Sequence, residues 1–142
     1  MDYRSPQSDE EVEAYFRLRW EVLREPWGHE RGSEKGDDEE ESFHLVAIEN
    51  SRIFGVGRLH AIEGGRMQIR YMGVAAEAQG RGAGTGIVAG LEDEARRRGA
   101  SGILLHARES AVPFYEKNGY GIIAKSYLLW GEIQHFEMTK EL

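Results

Sequence analysis

Gln79-Gly80-Arg81-Gly82-Ala83-Gly84-Thr85-Gly86 is followed at once by Ile87, Val88, Leu91 and Ala95, which are spaced to share one face of a helix. Four alternate glycines therefore stand where one element turns into the next. Glycine has no Cβ, so backbone N–H groups can approach an anion closely there. The helix behind adds unpaired N–H groups and the positive end of its dipole. Arg81 adds a cation. Together these features describe a cradle for a phosphate or pyrophosphate. The competing reading is a glycine-rich loop that only turns the chain.

Working outward, three strand-like segments precede the turn: Phe43 to Glu49, Ile53 to Ile62 and Met67 to Ala76. Asn50-Ser51-Arg52 and Gly64-Gly65 separate them, and such short turns predict an antiparallel meander. Further upstream, Ser8 followed by Glu11 is a capping-box signature. It predicts a helix from about Asp9 to Arg24, stopped before Pro26. Downstream, the glycine-turn helix should end near Gly99. Ile103 to Ala107 is a continuous apolar run, as expected of a strand buried on both faces. A short helix around Ala111 to Lys117 and two closing strands, Gly119 to Leu129 and Ile133 to Thr139, complete the chain. With no repeats or linkers, residues 1–142 read as one α/β domain in which a meander leads into a strand–helix–strand unit.

Composition narrows the function. Acidic residues number 25 and basic residues 18, for a net charge of −7. That balance argues against nucleic-acid binding, because phosphates want a basic face. There is no cysteine, which excludes disulfides, thiolate metal sites and a cysteine nucleophile. The histidines (His29, His44, His60, His106, His135) do not pair at metal-ligand spacings, so no metal is expected. No apolar run reaches the roughly 20 residues that cross a membrane. The N-terminus lacks the apolar core of a signal peptide, so a cytoplasmic location is expected. Residues Gly28 to Ser42 hold seven acids and two bases.

Three phosphate-loop patterns can be set against the turn. A P-loop needs Lys and Ser/Thr after its last glycine, and none follows Gly86. The dinucleotide pattern fits Gly84 to Ala89 by letter, but it normally opens a longer βαβ array than the remaining chain allows. Gln79 to Gly84 matches a third pattern, Q/R-x-x-G-x-G/A, in full. About thirty residues later comes Ala111-Val112-Pro113-Phe114-Tyr115-Glu116-Lys117-Asn118-Gly119-Tyr120. The two blocks, in this order and spacing, resemble the GNAT superfamily of acetyl-CoA-dependent N-acyltransferases, whose second block reads A-x-x-F/L-Y-x-x-x-G-F/Y. Leu23 to Gly28 (LREPWG) and the ending from Gly131 to Leu142 are similar to one branch of small bacterial members.

The resemblance implies an α/β fold with a mixed, mostly antiparallel central sheet, flanked by helices and splayed in the middle between its fourth and fifth strands. Acetyl-CoA, as co-substrate, would lie in the opening. Tyr3 to Ser5 would then begin a short first strand. The pantetheine arm would pair with backbone at Met72, Gly73 and Val74. The pyrophosphate would lie on amides from Arg81 through Gly82, Ala83, Gly84 and Thr85 to Gly86, behind Gln79 and Gly80, with the Thr85 hydroxyl in reach. Where many relatives carry Asn, this chain has Arg108, which could reach phosphate instead.

Acetyl transfer to an amine needs a base, because an unperturbed alkylammonium has a pKa of about 10. It also needs a donor for the oxyanion and an acid for the departing thiolate. Tyr115 matches the family block by position and is the expected acid; the alternative is a packing tyrosine whose hydroxyl bonds backbone. A backbone N–H near Val74 is the expected oxyanion donor. For the base, His135 on a strand at the sheet's far edge, Glu77, Glu41 and a water chain are all candidates. The missing cysteine favours direct attack in a ternary complex. The acceptor is expected to be an amine, on a small molecule or a protein. Asp37 to Glu41 could attract a cationic amine, although charge runs are more often solvated loops. Phe16, Trp20 and Trp27 could line the acceptor pocket or simply be core. The C-terminal strands offer edges through which a homodimer could form. Two other functions fit less well: a non-catalytic acyl-CoA-binding module, and a nucleotide-binding regulatory domain using Gly84 to Ala89.

Overall fold

The computed structural model describes residues 1–142. In chain order the elements are β1 (Asp2–Arg4), α1 (Asp9–Leu23), β2 (Phe43–Glu49), β3 (Arg52–Ala61), β4 (Met67–Val74), α2 (Ala83–Arg97), β5 (Gly102–Arg108), α3 (Val112–Lys117), β6 (Gly121–Leu129) and β7 (Ile133–Glu141). The strands form one sheet in the order β1-β2-β3-β4-β5-β7-β6. Neighbours are antiparallel except β4 and β5, which the α2 crossover makes parallel.

Each face of the sheet carries its own core. Along β2, Leu45 and Ala47 point one way and Val46 and Ile48 the other, as the two-residue strand period requires. The first pair joins Leu59, Ile69, Ile87, Leu91, Ile103 and Met138 beneath α2. The second pair joins Tyr15, Leu18, Phe54 and Val56 beneath α1. Helix α1 starts as its sequence dictates: Ser8 Oγ accepts from the Glu11 amide at 3.1 Å, and Glu11 reaches back to the Gln7 amide at 2.8 Å. Gly57 lets α2 lie close on β3, since a Cβ there would come within 2.6 Å of Ile87.

The splay is local. β4 and β5 pair only at Met67↔Ile103 and Gln68↔Leu104, and then diverge. On its other edge β4 stays on β3 but shifts register opposite Gly57. There Tyr71 takes a φ of +57°, rare for a non-glycine residue. This bulge bends β4 away and leaves its edge open toward β5.

Some sequence expectations need correction. Ile103 to Ala107 is not buried on both faces: Leu104 and His106 are only half-buried, because β4 has left that flank. β4 ends at Val74, and α2 begins at Ala83, inside the glycine run. β7 is not the far edge of the sheet; it lies between β5 and β6, and β6 is the edge. No helix of the molecule is long and apolar enough to cross a membrane.

Candidate active site

The opening between β4 and β5 holds two chambers that meet at a throat. One, of about 490 Å³, lies toward the start of α2 and is lined by Met72, Gly73, Val74, Gln79, Gly80, Gly82, Gly84, Thr85 and Phe114. The other, of about 180 Å³, lies beneath the end of α1 and the β6–β7 turn. Leu23, Met72, Arg108, Ala111 and Tyr115 line both and so form the throat.

The larger chamber presents unpaired backbone. The Ala75 N–H bonds Phe54 on β3 at 2.8 Å, so the neighbouring Val74 groups point the opposite way, into the cleft. The Gln79 side chain donates to the Val74 carbonyl there at 3.1 Å. At the start of α2, Gly82 is the N-cap, with φ +83° and no side-chain cap. The amides of Ala83, Gly84 and Thr85 therefore have no acceptor within the helix.

The glycines divide by role. Gly80 and Gly82 hold positive φ. Gly84 and Gly86 are packing glycines, because a Cβ would come within 3.1 Å of the Phe114 ring at Gly84 and would run into the Tyr3 ring at Gly86. The Arg81 guanidinium, expected as the cation of the cradle, is paired with Glu49 at 2.7 Å.

At the throat, Tyr115 is 7 % exposed, and its hydroxyl has no hydrogen-bond partner within the protein. Burial raises its pKa well above the phenol range, partly offset by the charge of Arg108. Arg108 has no carboxylate partner and stands opposite His135 in the β5–β7 register. The His135 Nδ1 lies 3.0 Å from the Ile133 carbonyl, which assigns the proton to Nδ1 and leaves Nε2 as an acceptor. Burial lowers the His135 pKa, so the ring stays neutral at neutral pH. The ring stacks on Tyr127 at 4.5 Å.

The other candidate bases stand apart. Glu77 pairs with Arg52, Glu41 is exposed on its loop, and neither lines a chamber. Of the three aromatic candidates only Trp27 reaches the smaller chamber. Trp20 bonds the His29 carbonyl at 2.9 Å, and Phe16 packs on Tyr15.

The residues that match the Acetyltransferase (GNAT) family model run from 12 to 120, the span that builds β2 through α3 and holds both the glycine turn and the block around Tyr115. The chain belongs to the GNAT family. A GNAT relative, the uncharacterised N-acetyltransferase YjcF of Bacillus subtilis, is 31% identical over 134 residues, which are 94% of this chain and 95% of YjcF. Two solved structures share the GNAT fold at low identity. An aminoglycoside 6'-N-acetyltransferase complexed with coenzyme A superposes with a TM-score of 0.85 at 17% identity, over 99% of this chain and 97% of that one. Escherichia coli ElaA does so with a TM-score of 0.82 at 17% identity, over the same shares of the two chains.

Several residues of the chambers in this GNAT chain escaped sequence reasoning. Arg24, Arg70, His106, Tyr127 and Trp130 all line the smaller chamber. His106 carried a signal, because alternation from Leu104 to Arg108 puts it on the face of Arg108. Arg24 and Arg70 carried none, since arginines on a helix end and a strand are ordinary surface residues. The acidic stretch is also only partly solvated: Glu34 is 1% exposed, and Glu39 binds the buried Arg19 at 2.7 Å. None of Asp37 to Glu41 lines either chamber.

Proposed function

We propose that this chain transfers the acetyl group of acetyl-CoA to a primary amine by direct attack in a ternary complex. The observation that carries this is the meeting of two chambers at Tyr115 and Arg108. The larger fits acetyl-CoA by its donor set. The open β4 edge at Met72, Gly73 and Val74 can pair with the amides of a pantetheine arm as a strand would. The uncapped N-terminus of α2 suits a pyrophosphate. Bound there, acetyl-CoA supplies an activated thioester. The smaller chamber takes the amine.

The residues then divide the proton work. The amine reaches the thioester as the free base, its ammonium proton lost to solvent, and His135 Nε2, neutral and open to the smaller chamber, accepts a second proton from the nitrogen as the N–C bond forms, directly or through water. The nitrogen lone pair attacks the thioester carbonyl, and the Val74 amide donates to the oxygen as it gains charge. The C–S bond breaks, and the sulfur leaves with the proton that Tyr115 gives up. Arg108 makes that proton easier to release, because its positive charge favours the phenolate. The amine proton can return to Tyr115 through water, so the protein ends unchanged. Coenzyme A in the solved relative supports the donor site. The aminoglycoside of that relative does not carry over, since no acid lines the smaller chamber to hold a polycation.

Thiol release from acetyl-CoA, followed with a panel of amines, tests this. We expect amine-dependent release that falls at least ten-fold in Tyr115→Phe while acetyl-CoA still binds. Binding of acetyl-CoA without turnover on any amine would favour a non-catalytic acyl-CoA-binding module instead.

A further inference from the structure

The smaller chamber has an unusual charge. The chain carries a net charge of −7, yet no aspartate or glutamate lines this space, while Arg24, Arg70 and Arg108 all do. Most of the other arginines are paired with carboxylates. The arginines without such a partner are Arg24, Arg66, Arg70 and Arg108, and all but Arg66 face this one chamber. Arg24 donates from Nε and Nη1 to the Ser33 and Leu23 carbonyls, at 3.0 and 3.1 Å, which leaves its Nη2 for a ligand. Two acids act on its side chains from behind the wall. Glu137 lies beside His106. Glu34 acts on Arg24, but one of its oxygens is taken by the Gly32 amide at 2.7 Å.

Gathering guanidiniums without counter-charges in a partly enclosed space is costly. Arg24 shows the strain, since burial and the charges of Arg19 and Arg70 push its pKa down. Such an arrangement is stable in use only if a ligand brings the negative charge. A guanidinium fork matches a carboxylate bidentately. The remaining lining is apolar and aromatic, with Trp27, Trp130 and Tyr127 around the arginines. Trp130, at the β6–β7 turn, lies 4.2 Å from the His29 ring and 5.4 Å from the Arg24 guanidinium, and so roofs the space.

We infer that the acceptor is a free α-amino acid with an apolar or aromatic side chain, its carboxylate held by Arg24 and Arg70 and its amine turned to the throat. This rests on the acetyl-transfer reading and names the substrate class within it. It also explains how the amine becomes nucleophilic. Beside guanidiniums an ammonium is disfavoured, so its pKa falls. The ammonium proton is lost to solvent, the N–C bond forms as the C–S bond breaks, the nitrogen's second proton passes to His135, Tyr115 protonates the sulfur, and the products are the N-acetyl amino acid and free thiol. The same arginines that hold the carboxylate thus repel a polyamine.

The test compares phenylalanine with phenethylamine, which lacks only the carboxylate, and with spermidine. We expect kcat/KM for phenylalanine to exceed that for phenethylamine by about 100-fold or more, as for a site whose polar groups are left unpaired by the wrong substrate. Arg24→Gln and Arg70→Gln should collapse that ratio, and Arg66→Gln should preserve it. In parallel, N-acetylphenylalanine and N-acetylphenethylamine are titrated calorimetrically without acetyl-CoA, and only the first should bind. Equal use of phenethylamine, preference for spermidine, an intact ratio in both chamber variants, or no binding of N-acetylphenylalanine would each overturn the inference. If N-acetylphenylalanine binds but acetyl-CoA does not, the acetyl-transfer reading fails and the carboxylate site stands.

Discussion

Two groups of arginines meet at one tyrosine, and they are treated in opposite ways. Arg19 and Arg58 are 0% and 1% exposed, and both lie against the Glu39 carboxylate, at 2.7 and 3.1 Å. Arg19 also bonds the Tyr15 hydroxyl and the Glu34 carbonyl. Arg24 and Arg70 have no carboxylate. The Tyr71 ring contacts both groups, with Arg19 and Arg58 at 4.3 and 5.2 Å from its centroid and Arg70 and Arg24 at 4.8 and 5.9 Å. The difference separates structure from function. A buried cation that serves the fold is given its counter-charge by the chain. A cation meant for a ligand is left without one.

Glu39 is where this comparison is most easily broken. Burial alone would raise its pKa, but the Arg19 hydrogen bond, the Gly36 amide and the charges of Arg19 and Arg58 outweigh it and hold the carboxyl below its ordinary range. Glu39→Gln should cost about 3 kcal/mol of stability, because it strands buried charges. Urea unfolding reads this, and a loss below about 1 kcal/mol would mean the pair is not what holds that loop.

Tyr115→Phe should lower turnover at least ten-fold, about 1.4 kcal/mol in the barrier, with acetyl-CoA affinity kept. Unchanged turnover would remove Tyr115 from the mechanism.

Acid should weaken both regions. Burial lowers the pKa values of His44 and His60 near the paired group and of His106 and His135 in the chamber. Below the unfolded histidine value of about 6.5, the unfolded chain takes up protons that the folded chain resists, so stability falls as pH drops through that value. Melting temperatures from pH 8 to 5 should decline on the acid side, and a flat profile would contradict the burial. The rate should hold across neutral pH and fall on the acid side, since His135 must stay neutral to accept a proton.

The smallest effect is the most pointed. Arg70→Gln should change stability by less than about 0.5 kcal/mol, because it breaks no ion pair, and Arg24→Gln by about 1 kcal/mol, because its guanidinium donates to the Ser33 and Leu23 carbonyls. A loss as large as that of Glu39→Gln would erase the distinction between the groups.

What the sequence disclosed follows the same line. The glycine turn, the capping box, the meander and the block around Tyr115 depend on local spacing, and each lies in the fold where its spacing puts it. Gly82 and Tyr115 were legible because backbone conformation and helix position are local properties. The burial of Glu34 and Glu39 was not, because an acidic run reads as solvated until the arginines beneath it are known. Nor was the freedom of Arg24 and Arg70, which is a fact about which carboxylates are absent in space. His135 was found by resemblance but misplaced at an edge, because the 5-7-6 strand order is not written in local pattern.

The most direct measurement of the central claim is a thermal-shift titration with acetyl-CoA, CoA and NAD in parallel, on the wild type and on Gly82→Val. Valine at a φ of +83° would distort the turn even though no atom crowds that position. The account predicts that both CoA species stabilise the wild type, that NAD does not, and that the variant loses the response. Stabilisation by NAD alone, no response to any of the three, or a full CoA response in Gly82→Val would contradict it.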